Sequence, residues 1–152
     1  MSQKSESAEL ILRAYELRRE AKLREAREWF GSFLPESAEE ILAVARGEKS
    51  AYYRMVTTYW DMVASLVNHG AIDSEMFHDA NNEHVYVFAK LAPHLAALRE
   101  ATGQPRYLSQ LEHLVQSLPD AEARIAFFRK RFDAARAAAA PKTTAKAVAG
   151  KA

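Results

Sequence analysis

Cysteine is absent from the 152-residue chain. Disulfides, thiolate nucleophiles and sulfur-ligated metals are excluded with it. No stretch approaches the roughly 18 uninterrupted apolar residues of a membrane span, and the opening MSQKSESAEL lacks the apolar run of a secretory leader. A soluble, cytoplasmic protein is the expectation. Alternation of apolar and polar residues, the mark of a half-buried strand, is also missing. Gly-x-Gly-x-x-Gly, P-loop and Gly-x-Ser-x-Gly patterns do not occur, which leaves no phosphate cradle and no nucleophile elbow. No catalytic residue and no cofactor are assigned.

The 21 basic and 20 acidic residues nearly cancel, leaving a net charge of +1. It is unevenly placed: residues 120–152 carry a balance of +5 and residues 1–119 a balance of −4. With 49% hydrophobic residues, the composition fits one compact domain over residues 1–140 followed by a disordered Lys/Ala-rich tail, PKTTAKAVAGKA, over 141–152.

Apolar positions recur every three or four residues through most of the chain, so the expected class is all-α, a compact bundle of five to seven helices. The five Gly and five Pro punctuate it. A first helix is expected from about Ser7 to Phe30, closed by Gly31 and Pro35. Ser37 and Glu40 form a capping box for a short second helix. A third runs from Ser50 to His69, with Asp61 expected to point outward. Asp73 caps a fourth that continues toward Gly103 and is kinked or split at Pro93. Pro105 opens an amphipathic helix carrying Leu108, Leu111 and Leu114, and Asp120 caps the last.

Three stretches carry candidate chemistry. In SEMFHDANNEH, Glu75 and His78 form a Glu-x-x-His pair, the i,i+3 arrangement that aims two ligands at a shared metal in di-iron bundles. No second such pair exists among the 15 glutamates, so Glu75 and His78 are the candidate ligands, a mononuclear site would have to recruit His94 or His113 from another helix, and a solvated polar face is the competing reading. His84, on the apolar side, reads as a hydrogen-bonded core or boundary histidine. In AYYRMVTTYWDMV, Tyr52, Tyr53, Tyr59 and Trp60 read as core or subunit interface, with a ligand pocket as the alternative. In ARIAFFRKRFDAARAAAA, Arg124, Arg129, Lys130, Arg131 and Arg136 are candidate anion contacts, while Ile125, Phe128 and Phe132 form an ordinary core stripe.

The pattern TTYWDMVASLVNHGAIDSEMF followed by LAPHLAALREATGQPRYLSQLEHL resembles a family of bacterial helical domains of unknown function over residues 55–118. The resemblance implies an all-α domain, sometimes attached to membrane-spanning segments. It implies no activity and no catalytic residues. The leading expectation is a non-enzymatic module that interacts with another protein or with itself as a homodimer. The alternatives are a nucleic-acid or other polyanion binder through the basic last helix and tail, and a metal-dependent enzyme using Glu75 and His78.

Overall fold

The computed structural model describes residues 2–141. The expected tail therefore lies, beyond Pro141, outside the described residues. Among those described there are α-helices and no strands: α1 Gln3–Arg18, α2 Ala21–Ser32, α3 Ala38–Arg46, α4 Ser50–Asn68, α5 Ser74–Ala80, α6 Glu83–Leu91, α7 Leu95–Thr102, α8 Ser109–Gln116 and α9 Ala121–Ala139. A 3-10 turn at Ala92–His94 joins α6 to α7. The class is all-α, and two of the expected long helices are divided further than their sequence suggests.

The expected first helix breaks between Arg18 and Ala21, where neither Gly nor Pro stands. Its inward side in α1 runs through Ser7, Ile11, Ala14 and Arg18, whereas α2 buries Leu23, Ala26 and Phe30. A straight helix would carry the first series on to positions near 22, 25 and 29, about one residue and about 100° out of phase with the second. The chain satisfies both faces by breaking. Glu20 takes an extended conformation and its carboxylate accepts the Leu23 amide at 2.9 Å, serving as an N-cap. Gly31, expected to close the helix, lies inside α2.

α4 is the central element. It packs against α2 and α8 on two sides, α3 on a third, and α5 and α6 toward its end. Tyr53, Val56, Thr57, Tyr59, Trp60, Val63, Ala64 and Val67 are all buried, as expected for a helix apolar around most of its circumference. Ser37 caps α3 by accepting the Glu40 amide at 3.2 Å, while the Glu40 carboxylate returns one residue further, to the Glu36 amide. Asp73 caps α5 through the Met76 amide at 2.8 Å.

Pro93 splits its helix rather than kinking it. It has no N–H to give the carbonyl four residues back, so α6 ends and the chain takes a 3-10 turn before α7. Gly103, at φ 66°, then ends α7 in the left-handed region. α8 begins at Ser109, later than the Pro105 start that the sequence suggests, because Leu108 sits at φ 56° with its side chain buried. Leu108 has no oxygen with which to cap, and Asp61 of α4 supplies one. Its carboxylate accepts the Leu111 amide at 2.9 Å, which corrects the outward position expected of it. Asp120 likewise differs from expectation: its carboxylate pairs with Arg124 Nε at 2.9 Å instead of capping α9.

Candidate functional site

α1 packs on α2 and α5 and is fastened at three further points. The Ser7 hydroxyl accepts the Asp73 amide at 3.0 Å, the Tyr59 hydroxyl donates to the Ala14 carbonyl, and the Arg18 guanidinium sits 5.3 Å from the centroid of the Trp60 ring. Ser7 is the one buried residue of α1. The opposite side of α1 carries exposed Glu9, Arg13 and Glu16, flanked by Leu12 (64% exposed) and Tyr15 (52%) on one side and Leu17 (52%) on the other, and on α4 Met62 is 48% and Leu66 40% exposed.

The four aromatic candidates divide between core and rim. Trp60 is buried against Tyr59 at 4.9 Å in an edge arrangement. Tyr53 is buried and its hydroxyl lies 2.6 Å from that of Tyr107, and burial pushes both phenols up. Tyr52 is half-buried beside Trp29, and donates to the Glu25 carboxylate at 2.8 Å.

Glu75 and His78 do not converge. Glu75 is exposed on α5, whereas His78 turns toward His84, and its Nδ1 lies 3.1 Å from His84 Nε2. In one straight helix these positions, six apart, would face away from each other. The extended backbone at Asn81, whose side chain donates to the Phe77 carbonyl at 3.1 Å, separates α5 from α6 and lets the two rings meet. Among the described residues no group of three or more His, Asp or Glu side chains is placed to hold a metal ion.

His84 is fully buried, in contact with Phe77 and Trp60. Burial, reinforced by His78, Arg124 and Arg18, depresses its imidazole to about 3, and burial lowers His78 as well. Both rings are therefore neutral at pH 7, one donating to the other. Arg18 Nε, Trp60 Nε1, His84 Nδ1 and His78 Nε2 are buried without a hydrogen-bond partner among the described residues, and they belong to side chains that touch in series.

Lys90 is a buried residue that the sequence reading missed. It shares the i, i+3, i+7 face of α6 with Glu83 and Tyr86, which on a wheel is the solvated face. α2 and α9 cover it. Glu83 receives Arg27 at 2.6 and 2.8 Å, and the Lys90 ammonium donates to the Phe30 carbonyl at 2.6 Å and the Tyr86 hydroxyl at 2.9 Å. The rings of Phe30, Tyr86 and Phe132 surround it at 4.6, 4.6 and 5.1 Å. Burial, with Arg136 adding to it, lowers this amine to about 7.

The five candidate cations of α9 fall into two groups. Arg129 donates to the Ala89 carbonyl at 3.0 Å, the acceptor left open because Pro93 has no N–H to offer it. Arg136 donates to the Pro35 carbonyl at 2.9 Å and to Asp133 at 2.7 Å, and Arg124 pairs with Asp120. Lys130 and Arg131 are exposed, the latter 5.6 Å from the ring of Phe127, itself 55% exposed.

A family model described as a domain of unknown function (DUF4760) matches residues 4–118. The chain belongs to this family. The match extends the resemblance seen over residues 55–118 back through α1, so the DUF4760 domain takes in α1 to α8, and α9 packs on α6 from outside the matched residues. No curated protein and no solved structure matches the chain. No helix among the described residues is long and apolar enough to cross a membrane.

Proposed function

We propose that this chain is a non-enzymatic, cytoplasmic interaction module that pairs with a second copy of itself through the edge formed by α1 and α4. One observation supports the reading above others: of the six large exposed apolar side chains among the described residues, five (Leu12, Tyr15, Leu17, Met62 and Leu66) lie on these two helices. Removing such side chains from water is worth about 25 cal/mol per Å². A two-fold interface uses the same patch twice, so one edge of this kind suffices for a dimer.

Molar mass by light scattering over a tenfold concentration range tests the reading. The expected result is a dimer for the native chain and a monomer for Leu12→Glu and Leu66→Glu, with melting temperatures little changed. A native chain that stays monomeric throughout would sink it. A second reading, contact with a polyanion, is favoured by exposed Lys130 and Arg131 beside exposed Phe127. It predicts DNA binding that weakens steeply with salt and is lost in Lys130→Glu/Arg131→Glu.

A further inference from the structure

A cavity of about 360 Å³ opens between α3, α4 and α7, closed on its fourth side by the turn over residues 103–108. Its volume is at the small end of the roughly 300–1,000 Å³ of small-molecule sites. Leu42, Ala45 and Leu98 form apolar walls, and Tyr53 and Tyr107 belong to a polar part that also includes Arg54 and Thr57. Their hydroxyls face each other at 2.6 Å. Two phenols bring two protons and their mutual bond uses one, so the second is open to the Thr57 oxygen beside Tyr107 or to an acceptor that enters the cavity. Burial pushes both phenols up, which keeps the pair uncharged and suits it to a neutral guest.

The turn that closes the cavity is held away from relaxed geometry. It is bounded by left-handed backbone at Gly103 and at Leu108, the one residue other than glycine with positive φ among those described. A leucine there is strained, because its Cβ crowds the following carbonyl oxygen. The conformation is retained by buried Leu108 and by Arg99, which donates to the Tyr107 carbonyl at 2.9 Å and pairs with Glu112 at 3.1 Å. Backbone strain that a structure takes pains to hold concentrates at ligand sites, and here its effect is to set Tyr107 against Tyr53.

We infer that this cavity is a binding site for a small neutral molecule, a single ring or a short chain, with one hydrogen-bond acceptor that takes the spare proton of the Tyr53–Tyr107 pair. The site is separate from the α1–α4 edge and does not depend on the association proposed there.

Acetophenone and ethylbenzene, nearly alike in shape and differing in the carbonyl, are suitable probes. Titrated into the full chain and followed by amide chemical shifts, acetophenone should saturate and move residues in 41–45 and 98–108. Ethylbenzene should bind about five- to tenfold more weakly, the worth of one such hydrogen bond. Tyr53→Phe/Tyr107→Phe, which removes both phenolic protons, should bring acetophenone down to the ethylbenzene level while leaving ethylbenzene unchanged, and Ala45→Leu, which fills the cavity, should abolish both. Absence of saturable binding, or binding indifferent to both substitutions, would overturn the inference. If Tyr53→Phe/Tyr107→Phe fails to fold, the pair is a core fastening and the inference fails equally.

Discussion

The two terminal helices, α1 and α9, read alike in sequence and are held differently. Both are charged and only weakly apolar on one side, and each buries a single residue completely, Ser7 in α1 and Phe132 in α9. α1 is fastened by polar latches placed one or two turns apart, with Leu12, Tyr15 and Leu17 left in water. α9 is wedged by Phe128 and Phe132 against Tyr86 and anchored by arginines on backbone carbonyls of the α6 C-terminus and the loop after α2. The difference shows how a helix outside the matched family residues adds burial to the domain: it completes open carbonyls and encloses Lys90. α1, inside the match, adds little burial and presents apolar surface.

The largest effect expected from breaking this contrast is at Phe132. Phe132→Ala removes the wedge and one wall of the Lys90 cage, and should cost about 3–5 kcal/mol in denaturant unfolding. Ser7→Ala, the matching change in α1, leaves the Asp73 amide without its acceptor and should cost about 1–3 kcal/mol. An equal loss at both sites would erase the distinction drawn between wedge and latch. Asp61→Ala, which uncaps α8 far from either terminal helix, should cost about 0.5–2 kcal/mol and serves as a reference for a single lost cap.

The pH dependence of stability sharpens the contrast. Lys90 titrates near 7 in the folded chain, below its ordinary value of 10.5, so the unfolded chain binds more protons between those limits and stability should rise with pH through that window. The Phe30 carbonyl and three ring faces favour the ammonium and moderate the slope. Lys90→Met, close in volume, should flatten it. His84 and His78 act in the acid range: both are depressed below 6.5 in the folded chain, so their contribution is complete above that pH and is lost as pH falls, for His84 toward about 3. Replacing His84 with Gln should flatten that limb, measured as melting temperature against pH.

The smallest expected effect on stability is at Leu12. Leu12→Glu should change it by less than about 0.5 kcal/mol, as for other surface positions, while moving the mass in solution if the α1–α4 edge pairs.

Much of the framework was readable along the chain because local chemistry decides it. The all-α class, the central burial of α4, the caps at Ser37 and Asp73, the stop at Gly103 and the interruption at Pro93 each depend on residues within one or two turns. His84 was readable as a core histidine for the same reason, since it stands on the apolar side of its segment. The break at Glu20 carried a faint signal, the one-residue slip between the stripes of α1 and α2, which propensity alone hides.

What tertiary structure decided is the fate of polar groups whose partners lie far away in sequence. Lys90 finds Phe30, Asp61 finds Leu111, Arg129 finds Ala89 and Tyr53 finds Tyr107, each across 40 residues or more. A helical wheel assigns a polar residue to water unless another element covers it. Which element does so is settled by packing, which spends buried cations and hydroxyls on carbonyls, amides and ring faces that no spacing along the chain reveals.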